Sequence, residues 1–133
     1  MQNRRTFLSL AAASWLPGAA AALAPTGTPP RELARHTLAG PLESLDAVLL
    51  ELRPGPGPAR ELRHTGPVMG YVLEGRVRFG IDHGPGQIIP AGGTFFEPTG
   101  ALHSTWESAD PAAPARVLVF MVVPKGTSGT TAA

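Results

Sequence analysis

The chain contains no cysteine. That excludes disulfide staples, zinc–thiolate sites and thiol nucleophiles together, so the core alone must hold the fold. Charge of either sign is nearly balanced: Lys+Arg 11 against Asp+Glu 10 gives a net charge of +1. No basic field points to nucleic acid as a partner. Aromatic residues make up only 6% of the chain, so the core is expected to be mostly Val, Leu, Ile and Phe. No apolar run approaches the roughly 20 residues that a helix needs to cross a bilayer, so no stable membrane span is expected. Outside the N-terminus there is no 3.6-residue periodicity of any length, and no repeat of solenoid type.

Turn-forming residues, by contrast, are abundant: Gly 16 and Pro 15 among 133 residues. A chain of that length is one domain by default, and frequent Gly/Pro turns between short apolar segments predict an all-β sandwich or barrel. Leu45 to Leu52 reads as a strand with Leu45, Ala47, Leu49 and Leu52 facing inward. Met69 to Leu73 reads as a second strand, Glu74-Gly75 as a turn, and Arg76 to Ile81 as the return strand. There Val77, Phe79 and Ile81 alternate with Arg76, Arg78 and Gly80, the period of a half-buried strand. Gln87–Ile89, Thr94–Glu97 and Leu102–Glu107 follow, separated by His83-Gly84-Pro85-Gly86 and Pro90-Ala91-Gly92-Gly93. Val117 to Val123 is almost continuously apolar, as in a strand covered on both faces. Tyr71, Phe79, Phe95, Phe96 and Phe120 are expected in the core. His36 and His83 are expected at the surface.

The first residues read as an address. Asn3-Arg4-Arg5-Thr6-Phe7-Leu8 precedes an apolar stretch to Leu16, then Pro17-Gly18 and small residues through Ala24. This is the order of a cleavable secretory signal helix over 1–24, with cleavage after Ala22 or Ala24. The paired arginines resemble a twin-arginine signal, which implies an exported, periplasmic or secreted protein. Residues 25–34, dense in Pro, Thr and Gly, read as a linker. Residues 35–124 would form the domain, and 125–133 a disordered tail.

Two stretches within 60–107 carry a more specific signal. In the first, Leu62-Arg63-His64 is followed by Val68 and by Tyr71-Val72-Leu73-Glu74-Gly75. In the second, Gly93-Thr94-Phe95-Phe96-Glu97-Pro98-Thr99-Gly100-Ala101-Leu102-His103 is followed by Glu107. Together, and in this order, they resemble the two motifs of the cupin superfamily, and in particular its small single-domain barrels. His64 and Gly75 match the second histidine and closing glycine of the first motif. Gly93, Pro98, Gly100 and His103 match the second, with one residue fewer between Gly93 and Pro98. The resemblance implies a cupin-type β-barrel, also called a double-stranded β-helix or jelly roll. It also implies a homodimer as the default assembly, since cupins commonly pair through edge strands.

The resemblance further implies a metal site built from two histidines and a glutamate of the first motif and one histidine of the second. Here Leu62 and Val68 stand at two of those four places and cannot ligate. His64 and His103 remain, and Glu97 is the candidate third donor; with it the set is two histidines and one carboxylate, as in non-haem iron(II) sites. Two readings stay open. In one, His64, Glu97, His103 and Tyr71 anchor a small-molecule ligand with no metal. In the other, His64, His103 and Glu97 hold one divalent transition metal (Fe, Mn, Zn or Ni). The expected function is accordingly an exported single-domain cupin that binds a small molecule in its barrel through a degenerate metal site. The alternative is a metal-dependent oxygenase or isomerase.

Overall fold

The computed structural model describes residues 27–133. The expected signal segment, 1–24, lies outside the described residues. Ten strands run along the chain: β1 (Gly27–Thr37), β2 (Leu45–Pro54), β3 (Leu62–His64), β4 (Val68–Glu74), β5 (Arg76–Ile81), β6 (Gln87–Pro90), β7 (Thr94–Glu97), β8 (Leu102–Ser108), β9 (Arg116–Pro124) and β10 (Thr130–Ala132). The only helical element among these residues is a single 3-10 turn at Gly40–Leu42. The strands form two five-stranded antiparallel sheets, β1-β2-β9-β4-β7 and β10-β3-β8-β5-β6. The all-β expectation is met.

The turns do more than reverse the chain. Glu74-Gly75 was expected to return β5 beside β4, yet β4 and β5 lie in different sheets. Gly75 makes the crossing: its φ is +71°, and a Cβ there would lie 2.6 Å from the Pro114 carbonyl oxygen. The segments after β3, β6 and β7 also cross between sheets. The chain therefore winds around the barrel, and each crossing brings inward-facing residues of one sheet over those of the other.

Pleating sets the core. Val48, Val68, Val72, Val77, Val117, Val119, Met121 and Val123 are buried, with Phe79, Ile89 and Phe95 among them. Phe79 and Phe95, on opposite sheets, stack with ring centroids 4.5 Å apart. In β2 the inward face is Val48, Leu50 and Leu52. Leu52 was expected there; Leu45, Ala47 and Leu49 belong to the other parity. In β9 the buried residues alternate, and Phe120 is 43% exposed. The expectation of a strand covered on both faces fails because the second sheet covers only one face of the first. The same pleat places Met69, Tyr71 and Phe96 outside, not in the core.

Two segments expected to be irregular are strands. Residues 27–37, most of the expected linker, pair with β2 as an edge strand. Its charged residues hold it there: Arg31 bonds Glu51 at 3.2 Å and Arg35 bonds Asp46 at 2.8 Å. Pro29 and Pro30 fall at a register shift between Thr28 and Arg31, where missing N–H donors cost least. Asp46 also accepts from Thr37 and from the Gly126 backbone N–H. That backbone bond, with Arg35 and Thr37, draws its carboxyl down to about 2. In the expected disordered tail, 125–133, Thr130, Thr131 and Ala132 pair with His64, Arg63 and Leu62. Their partner is the otherwise open edge of β3.

At Gly70 the requirement for glycine comes from packing and not from backbone conformation. A Cβ on Gly70 would run into the Phe95 ring on the neighbouring strand. Overpacking of this kind costs about 1–3 kcal/mol, so Gly70→Ala is expected to lower Tm by several degrees in a thermal melt. An unchanged melt would show that Phe95 yields without cost.

Candidate metal centre

Three polar side chains meet in the apolar barrel. His64 ends β3 and His103 lies on β8, its neighbour in the same sheet. Leu62 is the residue directly opposite His103, so His64 is a diagonal neighbour, and the two rings sit 5.8 Å apart. The histidines are thus side by side and not on facing strands. Glu97 reaches them from the other sheet, at the end of β7. Val68 is its register partner on β4, and cross-strand partners share a face. The family's glutamate position is therefore apolar here, while a carboxylate stands directly across from it on the next strand.

Glu97 is fully buried, in contrast to the solvent-facing turn position its place before Pro98 suggests. Its Oε2 lies 3.4 Å from His103 Nδ1 and 3.9 Å from His64 Nε2. Neither contact forms a hydrogen bond: both Glu97 oxygens and both His103 nitrogens are buried without a partner. Such groups ordinarily cost about 1–3 kcal/mol each. The three donor atoms all lie within 4.8 Å of one another. Donors sharing an ion with bonds of about 2.1 Å stand roughly 3.0–3.5 Å apart, so small side-chain movements suffice. The residues fit a divalent transition metal.

Burial also sets the protonation states. It pushes Glu97 up to about 7, with Asp82 adding to the effect. It pushes His103 down to about 4, helped by the charge of His64, and lowers His64 as well. Both imidazoles are therefore neutral at neutral pH and have lone pairs to offer, while Glu97 must release a proton to ligate.

The site opens into a cavity of about 440 Å³. Val48, Leu50, Leu52, Leu62, Val119 and Met121 make much of its wall. Trp106 also lines it, its ring edge-on to those of Phe95 and His103 at 5.6 and 5.3 Å. Simple alternation would aim Trp106 away from His103, but the β5–β8 register skips Ser104. This one-residue bulge restores Trp106 to the inner face.

Of the expected site residues, His64, Glu97 and His103 come together and Tyr71 does not: it is 46% exposed on the outer face of its sheet. Ser104 donates to the Gly80 carbonyl, away from His103. Arg78 pairs with Glu107 at 3.3 Å and Arg63 donates to the Gly100 carbonyl at 2.8 Å, so both are engaged. His36 and His83 are exposed. Ser128 and Thr130 line the cavity and were missed. Gly126 and Gly129, turn residues flanking them, were the available signal.

A profile of the cupin domain matches residues 48–127. The chain belongs to the cupin family. No curated protein matches the sequence. Among solved structures, this cupin resembles an uncharacterized conserved protein with a double-stranded β-helix domain from Klebsiella pneumoniae, at 20% identity and a TM-score of 0.58; the match covers 77% of this chain and 80% of that one. It also resembles the DMSP lyase DddQ of Ruegeria pomeroyi (21% identity, TM-score 0.53, 67% of this chain and 43% of that one). A third neighbour is oxalate oxidase in complex with the substrate analogue glycolate (19% identity, TM-score 0.53, 64% of this chain and 45% of that one). The cupin described here spans less than half the length of these two enzymes. At such identities the likeness is one of fold.

The raised carboxyl makes a signed prediction. Folded Glu97 keeps its proton up to about 7, whereas its ordinary value is 4.5. Its contribution is present below the lower value and is lost as pH rises through the higher one. His103 runs the opposite way: its contribution is present above 6.5 and is lost as pH falls toward about 4. Comparing metal-free Glu97→Gln with wild type leaves the glutamate contribution. The variant is expected to gain stability relative to wild type as pH rises from about 4.5 to about 7. A constant difference in denaturant melts would contradict the buried acid.

Proposed function

We propose that this cupin is an exported protein that binds a small molecule in its barrel, beside one divalent transition metal held by His64, Glu97 and His103. The observation that carries this reading is the convergence of three metal-ligating side chains, most of their donor atoms buried without partners, at an apolar cavity. The aliphatic wall favours a ligand with a largely apolar body and one polar head. Phe79 and Trp106 pack edge-on against His103 and hold its ring in place. An ion here would supply Lewis acidity with coordination positions left open beyond the three protein donors.

That openness supports a second reading, a metal-dependent oxygenase or isomerase acting on a small substrate. The DMSP lyase and the oxalate oxidase show that this barrel type carries enzyme activity in other proteins. Export rests on the Arg4-Arg5 signal pattern of the sequence. Among the described residues no helix is long and apolar enough to cross a membrane.

A homodimer belongs to the same proposal. Leu49, Phe120, Met69 and Phe96 are successive register partners across four strands. They form an apolar row on the outer face of the first sheet, with Met69 and Phe96 each 57% exposed. Contact through that face, in place of an edge strand, would bury the row against its own copy.

Metal analysis of protein purified from its native host is expected to find one transition metal per chain. Absence of metal, with stability unchanged by chelator, would sink the metal reading. Leu62→His places an imidazole opposite His103 and is expected to tighten zinc(II) binding on the order of tenfold or more. Unchanged affinity would mean that the ion sits elsewhere. For the assembly, Phe120→Glu is expected to convert a dimer into a monomer by light scattering. A wild type that is itself monomeric refutes the dimer.

A further inference from the structure

We propose that Thr130 is a positioning residue for the metal centre, setting which nitrogen of His64 faces Glu97; this rests on the metal reading above. Thr130 is the register partner of His64 across the β10–β3 pair. Its Oγ1 lies 3.1 Å from His64 Nδ1. The other ring nitrogen, Nε2, points toward Glu97 Oε2 at 3.9 Å, too far for a hydrogen bond. A proton on Nδ1 therefore has an acceptor in the threonine hydroxyl, and a proton on Nε2 has none at Glu97. The hydroxyl would donate to a bare Nδ1, but the proton on Nε2 would then face Glu97 with no acceptor in reach. Only in the tautomer whose Nε2 lone pair faces the carboxylate is no ring proton left unpaired. A metal-ligating imidazole requires this arrangement, and an outer partner on the second nitrogen ordinarily supplies it.

The surroundings hold both partners still. The Gly100 N–H donates to the His64 carbonyl, and the Thr65 N–H donates to the Gly129 carbonyl. Gly129, at φ +71°, packs against Val123 where a Cβ would collide. The Ser128 hydroxyl donates to the Thr130 carbonyl at 3.3 Å, closing the turn that presents the threonine. Strand β10 thus forms one wall of the cavity and also aligns a ligand. Coupling of this kind is reciprocal: a metal that selects one tautomer of His64 strengthens its bond to Thr130 and so the docking of β10.

The test uses three proteins: wild type, Thr130→Val, which keeps the shape and removes the hydroxyl, and Thr130→Ser, which restores it. Cobalt(II) affinity by titration is expected to fall about 10- to 100-fold in the valine variant and to return within a few-fold of wild type in the serine variant. Ring-nitrogen NMR of histidine-labelled metal-free protein is expected to show the Nδ1–H form of His64 in wild type and in Thr130→Ser, and a mixture in Thr130→Val. Hydrogen exchange of the β10 amides is expected to slow on cobalt(II) binding in wild type and in Thr130→Ser, but not in Thr130→Val. Equal cobalt(II) affinity in all three, or equal losses in both variants, would overturn the proposal. If wild type binds no cobalt(II), the metal reading fails separately, and the NMR decides alone: Nε2–H in wild-type His64 would overturn the role of Thr130.

Discussion

A buried carboxyl group with no hydrogen-bond partner is the constraint around which this barrel is arranged. Glu97 has lost its water and gained no donor; its nearest polar neighbours are two imidazoles, of which His103 has neither nitrogen paired. A protein interior tolerates such a trio in two ways. It can keep the acid protonated and the imidazoles neutral, as burial here favours, or it can place a cation among them. The two states differ by a single proton on Glu97. A proton and a bound cation would therefore compete for the same oxygen.

The winding of the chain makes that trio available. His64 and His103 are neighbours in one sheet, and Glu97 comes from the other. The crossing after Glu97, through Pro98 to Ala101, carries the chain directly from the acid to the sheet that holds His103. Gly100 at its centre has φ +78° and bonds back to the His64 carbonyl. One short turn thus separates two of the three candidate donors and fixes the backbone of the third.

Much of this was legible in the sequence because its signals are local. Alternation at Arg76–Ile81, the Gly/Pro turns and the paired motifs were enough for the strands, the barrel and the three donors. What escaped reading depended on partners distant in sequence. Residues 27–37 look like a linker because Pro, Thr and Arg dominate them; only the buried Asp46 and Glu51 on β2 make those arginines structural. Thr130 and Ser128 look like tail residues until the open edge of β3 is known. Tyr71, Phe96 and Phe120 read as core because aromatics usually are, but their parity is set by strand partners that local composition does not reveal. Likewise, the replacement of the family's glutamate by Val68 reads as loss of a ligand. The register pairing Val68 with Glu97 turns it into a move of one strand.

The bulge at Ser104 has a consequence for how such a pocket changes over generations. Every inward position after His103 is counted from that extra residue. Deleting it would restore simple alternation and leave His103 and Trp106 both facing inward, whereas pairing it regularly, with the bulge lost, would turn Thr105 and Glu107 to the cavity in place of Trp106. An aromatic lining and a polar one thus differ by whether a single residue is bulged or paired. Barrels of this type can therefore change the character of a pocket through the register of β8 alone, with His64, Glu97 and His103 left in place.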